Sequence, residues 1–287
     1  MDRWRLILDD GCRPAYNMAV DEAILAAFAD GKSPPTLRLY GWEVPSISLG
    51  YFQNLERSRI DLEYCRAAGI ALVRRPTGGR AVLHGHDLTF SVVADVNSIP
   101  EGFEGVLGSH VWLMRGIVAG MRLLGIEAEI GPMDSARSRA ISSADCFAHV
   151  AECDIRTERG KAAGAAQVRR SGALLEQGSI PHTPPEVDAA RIFGASAAVL
   201  TSDSLVLREI PRDDVEEAVG AGFVESLGVS FEREPISDYE ARLALDLESA
   251  KYACDEWTLN RRGNGIDNGL LGCYTNRASS IIGGCHA

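Results

Sequence analysis

IALVRRPTGGRAVLHGHDLTFSVVA, residues 70–94, holds three β-patterned runs: IALVRR (70–75), RAVLH (80–84) and LTFSVVA (88–94). Their β-branched, aliphatic and aromatic side chains suit a pleated, half-buried surface. The links between them, PTGG and GHD, are four and three residues long. A crossover between parallel strands needs a dozen or more. A fully parallel doubly wound sheet therefore fits less well than an α+β fold, a mixed-sheet α/β domain with a central sheet flanked by helices.

The pattern continues on both sides. WRLILDD (4–10), LRLYGW (37–42) and SISLGYF (46–52) read as strands, the last two joined by a turn at Pro45. NMAVDEAILAAFAD (17–30) reads as an amphipathic helix with Asn17 near its N-cap. Residues 56–68 form a second helical pattern stopped by Gly69, and VWLMRGIVAGMRLL (111–124) a third ending at Gly125. A β-rich group spans 145–180; from about residue 184 the character turns helical, with candidates at 186–193, 212–227 and 236–253. One domain over 1–257 is expected, followed by a loose Gly-rich tail over 258–287.

Composition narrows the class. The chain has 287 residues, 46% of them hydrophobic and 24% charged, which excludes disordered and fibrous classes. No apolar run approaches the ~20 residues that span a bilayer, and MDRWRLILDD is no signal peptide. Seven cysteines (Cys12, Cys65, Cys146, Cys153, Cys254, Cys273 and Cys285) form no CxxC pair, so a cytoplasmic protein with free thiols is expected. A net charge of -11 argues against nucleic acid as a partner. The acidity is regional: residues 207–257 hold 14 acidic and five basic residues, whereas 156–170 hold five basic and one acidic. That basic run could receive an acidic partner.

Three segments could carry chemistry. In the first, Arg74, Arg75, Thr77, Gly78, Gly79, Arg80, Ala81 and His84 surround a turn whose paired glycines let a ligand approach the main chain. It reads equally as a tight hairpin with solvated arginines, and matches neither common nucleotide-loop pattern. In the second, Lys161 stands before Gly164, Ala165, Ala166 and Gln167, a run of tiny residues whose amides could face a ligand, or else a solvated hairpin. In the third, Cys146, His149 and Cys153 invite a zinc reading, but on a strand Cys146 and His149 point to opposite faces and no familiar fourth ligand follows. No metal is expected. A buried structural cysteine is the usual fate of a lone thiol; a lysine beside it would change that, because an ammonium favours the thiolate. His84 and His86 read as structural by default.

Together these segments resemble the lipoyl-assembly branch of the biotin/lipoate ligase superfamily. RR-x-[ST]-GG-x-AV-x-H runs from Arg74 to His84, K-x-x-G-x-A-Q from Lys161 to Gln167, and KYACDEWTLNR (251–261) looks like the family's closing segment. Lipoate ligases typically read GGG where this chain has Arg80, as LipM-type octanoyltransferases do; those also carry a cysteine ahead of the lysine motif, where Cys146 falls.

The resemblance implies a biotin/lipoate ligase-like catalytic domain that moves an octanoyl group from octanoyl-acyl carrier protein to a lysine of a lipoyl domain or glycine cleavage H protein. It implies catalysis by Cys146 and Lys161 through a thioester acyl-enzyme, with no ATP and no other cofactor. Gly164, Ala165 and Ala166 would supply the oxyanion site, and Gly78, Gly79 and the strand from Arg80 an apolar slot. The basic run with Arg74 and Arg75 would be the docking surface. An ATP-dependent lipoate–protein ligase and an amidotransferase between carrier domains are the alternatives.

Overall fold

The computed structural model describes residues 2–85, 87–131, 146, 153–183, 186–194 and 207–261. The chain opens with β1 (Asp2–Cys12) and α1 (Pro14–Ala29), then β2 (Thr36–Trp42) and β3 (Ser46–Leu49). Two short helices, α2 (Leu55–Ser58) and α3 (Leu62–Ala67), lead to β4 (Ala71–Arg74), β5 (Val82–His84) and β6 (Asp87–Asp95). Helix α4 (Gly105–Leu123), β7 (Glu129–Ile130), β8 (Ile155–Thr157), β9 (Gly160–Arg170) and β10 (Ala173–Pro181) follow. The remainder is α5 (Ala189–Phe193), α6 (Arg212–Leu227), β11 (Val229–Arg233), α7 (Asp238–Leu247) with a π-helical turn at Glu248–Tyr252, and α8 (Asp255–Asn260).

The main sheet has eight strands in the order β11-β1-β2-β6-β10-β9-β8-β7, and a smaller one the order β4-β3-β5. Both are mixed. β1 runs parallel to β2 and β11, the β2–β6, β6–β10 and β10–β9 pairs are antiparallel, and β3 is parallel to β4 but antiparallel to β5. The runs of residues 70–94 are thus not a meander. β3 lies between β4 and β5, so the PTGG turn does not close a hairpin, and after His84 the chain changes sheets.

Alternation along the strands divides the core. Leu6, Leu37, Leu39, Phe90, Val92 and Leu174 meet α4 and α6, while Ile7, Tyr40, Trp42, Val93 and Leu175 meet α1, α7 and α8. A third cluster joins the small sheet to the short helices through Ile47, Leu49, Cys65, Ile192 and Phe193. The α4–α6 crossing is backbone-close: a Cβ at Gly222 would lie 2.2 Å from the Gly120 nitrogen.

Several boundaries differ from the sequence expectation. Pro14 starts α1 because its fixed φ and missing N–H suit the first turn, so Asn17 is buried within the helix, bonded to the Gly41 carbonyl and to Arg38. The single helix expected at 56–68 is two, because Arg59 takes a left-handed conformation and Asn54 and Asp61 each cap a new start. VSFER supplies a strand, β11, within the part read as helical. Thr258 and Asn260 belong to α8 instead of the tail; residues 262–287 lie outside the described residues, as do His86 and His149. None of the described helices is long and apolar enough to cross a membrane.

Candidate active site

α1 is buried almost all round, and its polar residues Asn17, Asp21 and Glu22 survive there because each is paired. Asp21 accepts from Arg38 at 2.8 Å, Tyr40 at 2.9 Å, Ser91 at 2.8 Å and Gln177 at 2.6 Å. Glu22 accepts from Lys251, Arg170 and the Tyr252 hydroxyl. Burial pushes the Glu22 carboxyl up, but Lys251 and Arg170 hold it below its ordinary value. In the closing segment Trp257 donates to the Arg74 carbonyl at 2.9 Å, tying α8 to β4.

Where β6 and β10 approach the small sheet, their α1-facing residues change from apolar to polar, with Thr89 and Asp87 on one strand and Gln177 and Ser179 on the other. A cleft opens there, walled by Met18, Tyr40, Trp42 and Val82 and by the polar side chains of Ser48, His84, Thr89, Gln177 and Ser179. Its remaining wall is Arg75, Gly79, Cys146, Gly164, Ala165, Ala166 and Gly178. Both glycine motifs meet at this point: a Cβ on Gly79 would stand 3.6 Å from that of Ala166. Gly79 has φ +87, a conformation that favours glycine.

Cys146 sits between the motifs. Its amide donates to the Ala81 carbonyl at 2.8 Å, and Lys161 Nζ lies 3.4 Å from its Sγ and 3.1 Å from its carbonyl oxygen. Lys161 Nζ also pairs with Asp154 at 2.8 Å, with both side chains buried. Burial pushes the Lys161 ammonium down, but the Cys146 thiolate and the Asp154 carboxylate outweigh it and raise its pKa. The side chain lies across Gly164, where a Cβ would come within 2.7 Å of Cε and Nζ. Lysine and glycine three apart is therefore one unit.

Arg75 is buried beside this pair. It donates to the carbonyls of Ser48, Gly78 and Arg80 and to Ser48 Oγ. Burial lowers its pKa to about 10 against the support of Cys146. His84 stacks on Trp42 with ring centroids 4.0 Å apart. Its Nε2 lies 2.8 Å from Ser48 Oγ and its Nδ1 2.7 Å from an Asp87 carboxylate oxygen.

Burial raises the Asp87 carboxyl, but His84 and the hydroxyls of Ser179 and Thr89 bring it down to about 2 from an ordinary 3.8. A depressed carboxyl contributes stability that is present above the ordinary value and lost as pH falls toward the folded one. Asp87→Asn is thus expected to remove roughly 2 kcal/mol at neutral pH and to flatten the loss of stability between pH 3.8 and about 2. Urea titrations across that interval check this, and parallel curves for the two proteins would contradict it.

Not every expected residue faces the cleft. Thr77, Gly78, Arg80 and Ala81 back it: Thr77 donates to Gln177 at 2.9 Å, and the carbonyls of the other three accept from Arg75 or Cys146. Arg74 is a correction. It is fully buried and donates to the carbonyls of Gly50, Tyr51, Gln53, Trp257 and Thr258, so it braces the fold and is withdrawn from the surface.

Gln167 is another. It projects from the opposite face of β9 onto Ser109 and Glu176. The docking strip also contracts, because its cations are engaged internally. Arg169 bonds Ser109 and the Gly105 carbonyl, Arg170 pairs with Glu22, Arg156 with Glu129, and Lys161 is buried. Sequence reasoning missed Ser48, Asp87, Asp154, Gln177 and Ser179. The last two carried a signal, as polar residues alternating in the otherwise apolar GALLEQGSI.

Three comparisons bear on this arrangement. The lipoyl protein ligase A/B catalytic domain matches residues 13–223. The octanoyltransferase LipM of Symbiobacterium thermophilum is 36% identical over 275 residues, covering 90% of this chain and 98% of its own; that of Kyrpidia tusciae is 37% identical over 281, covering 91% and 100%. Among solved structures, a bipartite lipoate protein ligase from Thermoplasma acidophilum superposes with a TM-score of 0.72 at 27% identity, covering 92% of this chain and 100% of that one. With both motifs, the cleft between them and these matches in place, the chain belongs to the lipoyl protein ligase A/B catalytic-domain family.

Proposed function

We propose that this protein is an acyltransferase of lipoate biosynthesis that moves an octanoyl group from octanoyl-acyl carrier protein to a lysine of a lipoyl domain or glycine cleavage H protein. The observation that carries the chemistry is Lys161 Nζ at 3.4 Å from Cys146 Sγ. The named relatives support the substrate class, since both are octanoyltransferases. The free thiols suit a reducing compartment, and we place the protein in the cytoplasm.

In the first half-reaction the Cys146 thiolate attacks the octanoyl thioester. An S–C bond forms to the enzyme, the carrier's C–S bond breaks, and the Lys161 ammonium protonates the departing thiolate. Thioester exchange is close to isoenergetic, so the step needs no ATP. Acylation also removes the negative charge that does most to sustain the ammonium. Having given up that proton, Lys161 is buried beside the acyl group and suited to take a proton back as a base. In the second half-reaction the acceptor amine attacks the acyl carbon, its proton passes to Lys161, and the Cys146 thiolate returns. β8 pairs with β9 only as far as Ala163. The outer edge of β9 beyond it borders the cleft at Gly164–Ala166, and we assign the oxyanion donors there.

The test is intact-protein mass after incubation with octanoyl-acyl carrier protein alone. One octanoyl group replacing one proton is expected in the wild type and none in Cys146→Ala. An adduct of equal yield in that variant removes Cys146 as nucleophile. A requirement for free acid and ATP would instead favour a ligase.

A further inference from the structure

Outside the cleft, on the other face of the main sheet, α4 carries a histidine with no role in the chemistry above. His110 Nδ1 lies 2.7 Å from a Glu176 carboxylate oxygen and its Nε2 lies 3.3 Å from the Cys153 carbonyl oxygen. The Cys153 carbonyl oxygen accepts and so can the Glu176 carboxylate, and an imidazolium, with a donor at each ring nitrogen, serves both. Glu176 is completely buried, and His110 is 12% exposed.

The Cys153 carbonyl belongs to a tight turn. Cys153 is buried, with φ +61, a conformation costly for a residue other than glycine and kept only where surroundings enforce it. The next residue is Asp154, the carboxylate that pairs with Lys161. A short mechanical path therefore runs from α4 through a strained turn to the ammonium beside Cys146. The Gly131 amide, donating to the Asp154 carbonyl at 2.9 Å, pins the far side of the turn.

We propose that His110 is a positioning residue, which as an imidazolium clamps the Cys153 carbonyl and so sets Asp154 to hold Lys161 against Cys146. The assignment rests on the reading of Cys146 and Lys161 given above. The charged groups that act on it are Glu176 on β10 and Asp154 before β8; Lys161 on β9 is paired with Asp154, and Arg169 on β9 bonds the neighbouring Ser109. Arg169 is taken up by Ser109, Gln167 and the Gly105 carbonyl.

Burial pulls the imidazolium down, while Glu176, then the Cys153 carbonyl and Asp154, raise it above the ordinary 6.5. The clamp is therefore complete below the folded pKa and is lost as pH rises through it. A deprotonated ring keeps only one of its two hydrogen bonds.

The experiment reads the rate of iodoacetamide alkylation at Cys146, located by peptide mass, as a function of pH, alongside the His110 imidazole titration by NMR. In the wild type a break in the alkylation profile is expected at the imidazole pKa. In Glu176→Gln the pKa and the break should move to lower pH together, by the same amount. In His110→Gln, whose amide can still reach the carbonyl but does not titrate, the break should vanish. A break that stays put while the imidazole pKa moves, or that persists in His110→Gln, overturns the proposal. The octanoyl adduct, assayed separately with Cys146→Ala, decides the transfer reading. A missing adduct with a moving break would refute that reading and leave the clamp intact.

Discussion

Lys161→Ala is expected to slow formation of the octanoyl adduct at Cys146 by about a thousandfold, within the ~10²–10⁴ that a positioned acid or base contributes. The side chain is the ammonium 3.4 Å from the sulfur, and in the proposed reaction it donates the proton that the leaving carrier thiolate needs. Asp154, its partner at 2.8 Å, would be left as a buried carboxylate without that cation, so the variant also loses stability. Lys161→Arg separates the two roles. A guanidinium keeps the charge beside the thiolate but does not lose a proton in the accessible range. Its adduct should still form, at a reduced rate, and then fail to discharge onto the acceptor amine. A rapid-quench mass time course resolves the steps: donor alone for acylation, then isolated adduct mixed with acceptor for transfer. If Lys161→Ala acylates and discharges at wild-type rates, the lysine has neither role.

How much of this could be read beforehand depends on whether a residue's role is local. Turn lengths within residues 70–94 were enough to count against an all-parallel sheet, because chain geometry alone limits a four-residue link. Cys146 and Lys161 were singled out as a pair by the family resemblance and not by their spacing, and they meet. The strand order was not legible. The insertion of β3 between β4 and β5, and the pairing of β11 with β1, depend on contacts across tens to hundreds of residues. Arginine misled for the same reason. Arg74, Arg75, Arg169 and Arg170 look in sequence like solvated cations awaiting an acidic partner. In the fold they are consumed by carbonyls and by Glu22, groups far from them in the chain. Gln167 lay on the wrong face because the tiny-residue run gives no marker of which way a strand is turned. Asp154 and Asp87 were invisible as site residues, since an isolated aspartate has no pattern to read.

Asp21→Ala should cost about 3–5 kcal/mol of folding stability, the penalty for removing one partner of a buried ion pair. Asp21 and Arg38 are both completely buried, 2.8 Å apart. Burial pushes the Arg38 guanidinium down, and Asp21 first, then Tyr40 and Asp9, hold it above its ordinary value. Without Asp21, the carboxylate left to it among its hydrogen-bond partners is Asp9, which is 31% exposed. The Tyr40 hydroxyl, Ser91 Oγ and the Gln177 amide would each lose an acceptor as well. Asp21→Asn preserves shape and one carbonyl acceptor but not the charge, so its cost should be smaller. Urea unfolding of the three proteins at neutral pH measures this, with a change in midpoint at constant slope expected. A loss below ~1 kcal/mol in Asp21→Ala, no more than one ordinary hydrogen bond, would contradict it. The site should register the change even where the protein remains folded. Gln177, bonded to Asp21, receives the Thr77 hydroxyl at 2.9 Å and lines the cleft. The turn that carries Gly79 is therefore fixed through α1, and loosening it should lower turnover at temperatures well below the unfolding transition.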